Sequence, residues 1–206
     1  ADLLEPGGGA AAEQAAEAEP GAVMETVPAA EYETILDEAA FDTLLAQLAA
    51  APLIVLDLET TSINAMRAEI VGLSFAAVAG RAFYLPLAHT YPGAPEQLPR
   101  ESVLERLRPL LEDPARPKLG HNLKYDMGVL SNYGIALNGI THDSMLESYV
   151  LDSTAARHDM DSLALKYLGY RTTTYEEVAG KGAQQICFDQ VGIEQAAHYA
   201  AEDADV

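Results

Sequence analysis

Residues 53–60 read Leu-Ile-Val-Leu-Asp-Leu-Glu-Thr, and the fold turns on this stretch. Leu53–Leu58 is a short apolar run, as expected of a strand covered on both faces. Asp57 and Glu59 close it. Side chains at i and i+2 share a strand face, so the two carboxylates project together. They do so beside the crevice at the carboxyl ends of strands, where α/β sheets bind ligands. Two acids at the end of the most apolar strand cost stability unless something pairs with them. A divalent cation is the natural partner, and an all-oxygen ligand set suits Mg²⁺ or Mn²⁺. The plainer reading is that Asp57 caps the following loop and Glu59 is solvated.

Working outward, Tyr32–Leu36 alternates like a strand, and Asp37 can cap a helix running to Ala50 with Phe41, Leu44, Leu45 and Leu48 on one face. Ile70–Val78 and Ala82–Leu87 are two further strands, joined at Ala79-Gly80-Arg81 as a hairpin. Glu101–Leu111 is an amphipathic helix, and Lys118–Gly120 is a brief strand entering a helix capped near Asn122. Asp143–Leu151, Met160–Leu168 and Ile193–Asp205 complete the predicted helices. An antiparallel strand group followed by alternating strands and helices predicts a mixed-sheet α/β fold.

The 206 residues suffice for one α/β domain with a real core. Cys187 is the sole cysteine, so an intrachain disulfide is impossible and nothing points to secretion. The longest apolar stretch, Leu44 to Leu56, is interrupted by Gln47 and Pro52 and is too short to span a bilayer. No signal peptide is discernible. A cytoplasmic protein without membrane association is expected. The net charge of −20 opposes free-standing nucleic-acid binding, which needs a basic surface. All 12 Lys and Arg lie from Arg67 onward, where they face 19 acids, so residues 67–206 carry only −7. Residues 1–30 are Ala, Gly, Glu and Pro without apolar periodicity and read as a disordered acidic linker, with a short helix over residues 10–18 as the alternative. The chain begins on Ala1 and stops within its last helix, so both ends are expected to be cuts in a longer protein, with the compact domain over residues 31–206.

Two more carboxylates carry chemistry. In His121-Asn122-Leu123-Lys124-Tyr125-Asp126, Asn122 and Asp126 are one helical turn apart. Asn122 is equally a good N-cap. In His198-Tyr199-Ala200-Ala201-Glu202-Asp203, residues four apart on a helix are offset by about 40° and residues five apart by about 140°. Tyr199 therefore lies over Asp203, and His198 points away. Read in order, the chain has D-x-E on a strand, then N-x-x-x-D, then Y-x-x-x-D on a last helix.

This order resembles the three motifs of the proofreading nuclease superfamily in its tyrosine form (DEDD-type exonucleases). The segments ETILDE, GLSFA, LGHNLKYD, DSMLESYVL, RHDMDSLA, AGKG and HYAAEDADV are similar to the 3′→5′ exonuclease domain of bacterial DNA polymerase I, from about Tyr32 to Val206. The resemblance implies a ribonuclease H-like mixed sheet flanked by helices. It also implies two divalent metal ions, Mg²⁺ with Mn²⁺ or Zn²⁺ as substitutes, held by Asp57, Glu59, Asp126 and Asp203, with Tyr199 orienting the nucleophile. His198 fits the histidine form of the third motif, but its helix phase disfavours it.

The implied substrate is a single-stranded DNA 3′ end. Ile63 takes the place of an apolar wedge, where leucine is familiar, and Tyr175, ahead of Gly180-Lys181-Gly182, that of an aromatic platform, where phenylalanine is familiar. Thr60, His121, Asn122, Tyr125 and Arg157 are implied contacts to the terminal nucleotide or its phosphates; glutamine is familiar at the position of His121. The plain readings are ordinary packing for Ile63 and Tyr175 and a surface salt bridge for Arg157. The implied partner is the polymerase domain of the same parent chain, in a monomer. A silent spacer domain and an RNase D-type ribonuclease are the competing possibilities.

Overall fold

The computed structural model describes residues 30–206. The linker expected over 1–30, Ala30 apart, and its helical alternative lie outside the described residues. Six strands form one sheet in the order β1-β4-β3-β2-β5-β6: β1 (Glu31–Thr34), β2 (Ile54–Thr60), β3 (Ile70–Val78), β4 (Arg81–Pro86), β5 (Lys118–Gly120) and β6 (Ile140–Asp143). Strands β2, β3 and β4 are antiparallel neighbours, whereas β1 runs parallel to β4, and β5 and β6 extend the sheet in parallel beyond β2. The mixed α/β fold expected from the sequence is the one observed.

Side-chain alternation along the central strands explains the layers. On β2, Ile54, Leu56 and Leu58 enter the larger core, with Phe75, Phe83 and Leu85 from β3 and β4. Helices α1 (Glu38–Ala50), α2 (Arg100–Leu111) and α3 (Leu123–Ser131) supply its other half through Phe41, Leu44, Leu104, Leu107 and Val129. Burying each such side chain stabilises the fold by about 1.5–3 kcal/mol. The opposite face receives α7 (Ile193–Asp205), whose Ala196, Ala197, Ala200, Ala201 and Ala204 are all buried. Their spacing marks one helical stripe, and their small size lets the helix lie close to Val71, Ala76 and Ala82.

Asp37 caps α1 as expected, accepting from the Ala40 amide at 2.9 Å. The C-terminal turn of α7 is tied down by Asp205, which accepts from the Gly80 amide at 2.6 Å and the Tyr32 hydroxyl at 3.1 Å.

Three local expectations are corrected. Residues 140–143 form β6, and the helix expected from Asp143 is α4 (Ser144–Leu151) with Asp143 as its N-cap. The helix expected over Met160–Leu168 is α5 (Met160–Leu163) continued by one π-helical segment, Ala164–Leu168, ending at left-handed Gly169. Tyr175–Ala179 forms a short helix, α6, that the sequence reading did not include.

Candidate active site

The odd-numbered residues of β2 face away from the larger core. Val55 packs beside the alanines of α7, and Asp57 and Glu59, further along the same face, meet Asp203 of that helix. One carboxylate oxygen from each of Asp57, Glu59 and Asp203 lies within 4.8 Å of the other two. Glu59 is 6% exposed, and its Oε1 has no hydrogen-bond partner among the described residues. Asp126, on α3, is 2% exposed and has an unpartnered Oδ1. It stands outside the group of three, yet close enough for the Asp57 charge to act on it.

Electrostatics define the site further. Burial pushes the Asp57 carboxyl up to about 6. Burial, then the charges of Asp57, Asp203 and Asp126, raise Glu59 well above the usual carboxylate range. Asp126 and Asp203 are raised likewise, by burial first and the Asp57 charge second. Among the described residues no Lys or Arg forms a salt bridge to any of the four. Buried and half-buried carboxylates that repel one another, with orphaned oxygens on Glu59 and Asp126 and no salt bridge among the described residues, fit a divalent metal ion bound through oxygen.

Helix phase places Tyr199 and His198 as expected. The Tyr199 phenol is raised by burial and by the charges of Asp203, Glu59 and Asp57, so it stays a proton donor at neutral pH. His198 is exposed and meets Tyr32 in a T-shaped pair, with ring centroids 5.6 Å apart. Tyr175 stacks on Phe188 at 6.2 Å and meets Tyr199 edge-on at 6.3 Å. The aromatic wall therefore includes Phe188, which sequence reading missed; a lone aromatic in Ile186-Cys187-Phe188 gave no periodic signal.

The other expected residues divide into two groups. Ile63 is 98% exposed and so is not packed among the described residues. The Tyr125 hydroxyl donates to the Ser62 carbonyl at 2.5 Å and also meets the Thr60 hydroxyl, so both hold the loop that carries Ile63. His121 shares a hydrogen bond with Ser144 through Nδ1 at 2.9 Å. Arg157 is exposed and paired with Asp159 at 2.7 Å, as its plain reading anticipated. Asn122 is a correction: its backbone is left-handed (φ 61°) and its side chain does not cap α3. Asp143, 8% exposed, does that work, accepting from the Asn122 amide at 3.2 Å and the Leu123 amide at 2.9 Å.

A mixed sheet with a carboxylate cluster where its central strand meets the last helix is the ribonuclease H-like exonuclease architecture. RNase D of Trypanosoma brucei shares it, with a TM-score of 0.64 at 16% identity, over 85% of this chain and 62% of that one. Residues 32–206 match the 3′–5′ exonuclease family, and the chain belongs to it as a 3′–5′ exonuclease domain of the DNA polymerase I type. DNA polymerase I of Pseudomonas aeruginosa is 60% identical over 178 residues, 85% of this chain and 20% of that protein. That of Rhizobium leguminosarum is 42% identical over 192 residues, 85% of this chain and 19% of that protein. The chain spans about a fifth of the length of these relatives. Among the described residues no helix is long and apolar enough to cross a membrane.

Proposed function

We propose that the domain removes nucleotides from single-stranded DNA 3′ ends by metal-assisted phosphodiester hydrolysis, as the proofreading part of a longer DNA polymerase polypeptide. The observation that carries this reading is the convergence of Asp57, Glu59 and Asp203, with buried, unpartnered oxygens on Glu59 and Asp126. Asp57, Glu59 and Asp203 would hold one ion, and Asp126 with Asp57 a second. Bound there, Mg²⁺ or Mn²⁺ would supply Lewis-acid charge that acidifies water and offsets the charge of the scissile phosphate.

The chain's own side chains do the rest. The protonated Tyr199 phenol donates a hydrogen bond that orients the attacking oxygen, since a phenol with a raised pKa cannot serve as a base at neutral pH. Ile63 and the Tyr175 ring hold unpaired terminal bases by apolar contact and stacking, which tolerates any sequence. His121, Asn122, Thr60, Tyr125 and Arg157 face or frame the terminal nucleotide; Arg157 must first leave Asp159 to reach a phosphate. The −7 charge of residues 67–206 leaves the main basic hold on DNA to the rest of the polymerase polypeptide.

The deciding assay is release of mononucleotides from a 3′-labelled single strand, offered as DNA and as RNA. Release from DNA that needs Mg²⁺ or Mn²⁺ and stops in chelator is expected. Undiminished release in excess chelator would refute the mechanism, and a preference for RNA would favour an RNase D-type activity.

A further inference from the structure

Asp143 is the last residue of β6, and sheet register pairs it with Gly120, the last residue of β5. That register sets its carboxylate against two helix starts. Oδ2 accepts from the Leu123 amide at 2.9 Å and Oδ1 from the Asn122 amide at 3.2 Å, at the head of α3. Oδ1 also accepts from the Met145 and Leu146 amides at 3.1 and 3.2 Å, at the head of α4. One buried side chain therefore satisfies the orphan donors of both helices. Asn122 could have served α3 itself, but its left-handed backbone takes its side chain out of that role.

The place where α3 begins matters to the carboxylate cluster. A Cβ on Gly120 would come within 2.8 Å of the Leu56 carbonyl and 2.5 Å of Leu123, so the turn into α3 presses directly on β2 one residue before Asp57. Asp126 lies three residues beyond Leu123, in the first turn of the same helix. Asp143 has no place in the chemistry proposed above, and it does not belong to the carboxylate group of Asp57, Glu59 and Asp203.

We infer that Asp143 is a positioning residue for the nuclease site: it fixes the start of α3 against β2 and thereby sets Asp126 relative to Asp57. The inference rests on the metal-assisted reading above. Asp143→Asn keeps a single acceptor oxygen: at the Oδ1 position it leaves the Leu123 amide without a partner, and at the Oδ2 position it leaves α4 uncapped. Asp143→Ser, whose single oxygen sits one bond nearer the backbone, should cap α4 alone. Asp37→Ala is the control, since it removes a helix cap of the same kind at α1.

The measurements, on the full chain, are kcat on single-stranded DNA, the melting temperature, and calorimetric titration of Mn²⁺ without DNA. Loss of a partner that orients a metal ligand costs about 10–100-fold in affinity or activity, so kcat and Mn²⁺ affinity should both fall by about tenfold or more in D143N and D143S. In D37A both should stay within about twofold, whatever it does to melting, because that cap touches no ligand. The inference is overturned if D143N and D143S keep both quantities at the level of the unsubstituted chain. It is overturned equally if neither variant folds, which would make Asp143 a determinant of stability alone. An unsubstituted chain without metal-dependent release would instead bring down the reading beneath it.

Discussion

Glu202 and Glu59 are almost equally buried, at 2% and 6% exposure, in neighbouring parts of the molecule. Around Glu202 both oxygens are used: the Tyr170 hydroxyl and the Thr173 amide each donate at 2.5 Å, tying the segment before α6 to α7. Around Glu59 one oxygen has no partner, and the charges nearby are those of other carboxylates. Burial of a charge is costly in both places, but only the first offsets it from within the chain. A satisfied buried acid is a structural joint; an unsatisfied one in acidic company awaits a ligand.

The sharpest way to break this contrast is to neutralise one acid in each region. Asp57→Asn should reduce nuclease activity by more than about a hundredfold, since loss of partners that merely support a ligand costs about 10–100-fold. It should also raise the melting temperature of the metal-free chain, because it removes a buried repulsion. Glu202→Ala should do the reverse: it leaves the part-buried Tyr170 hydroxyl and Thr173 amide without their acceptor, at about 1–3 kcal/mol, a loss of roughly 2–10 °C. Its activity below the melting range should remain within about fivefold, because α7 keeps its packing on the sheet. Activity assays and thermal melts of the two variants, side by side, check both signs.

Within α7 the comparison sharpens to adjacent residues. Tyr199→Phe should lower kcat by about ten- to hundredfold, somewhat less than loss of a general acid or base. His198→Ala should leave kcat unchanged within about twofold, since that ring is exposed and pairs with Tyr32, away from the carboxylates. Equal losses in a steady-state assay would mean that the helix phase does not decide the third motif.

The smallest effect belongs to Ile63. Its exposure predicts a melting temperature unchanged within about 1 °C in Ile63→Ala, as is usual for surface substitutions. The KM for single-stranded 3′ ends should rise about fivefold, equivalent to about 1 kcal/mol of lost base contact. An unchanged KM would separate Ile63 from the substrate.

What was legible in the sequence follows the range of the forces involved. Asp57 and Glu59 share a strand face, and Tyr199 and Asp203 a helix face, and both facts follow from local periodicity. The alanine stripe of α7 is equally local. Asn122 misled because a cap signal is local, whereas its actual substitute, Asp143, arrives through the pairing of β5 with β6. Strand β6 itself was missed for the same reason: Ile140–Asp143 has no apolar run, and pairing with β5 is what makes it a strand. Glu202 carries no local sign of burial, and only the return of Tyr170 and Thr173 buries it. The π-helical turn at Ala164–Leu168 has no cause that we can name.

The pH dependence of melting, with and without Mn²⁺, tests the metal-holding role of the Asp57 cluster most directly. Asp57 is pushed up to about 6, and Glu59, Asp126 and Asp203 are raised as well, so from about pH 4 upward the folded chain binds more protons on them than the unfolded one. These four carboxyls then take stability away in chelator as pH rises through that window. Asp152, Asp159, Glu177 and Asp189, whose carboxyls are held low, act with the opposite sign only at more acidic pH, whereas His89 and His121, whose imidazoles burial holds low, oppose the four carboxyls within the window. In chelator the melting temperature should fall further between pH 5 and pH 7.5 in the unsubstituted chain than in Asp57→Asn, which leaves both histidines in place. Mn²⁺ at about a hundredfold excess over its Kd should restore about 2.7 kcal/mol at pH 7.5, or roughly 5–10 °C, and very little at pH 5. Asp57→Asn should lose most of that gain. A melting temperature at pH 7.5 indifferent to Mn²⁺, or a gain of equal size in Asp57→Asn, would contradict the metal-holding role of these carboxylates.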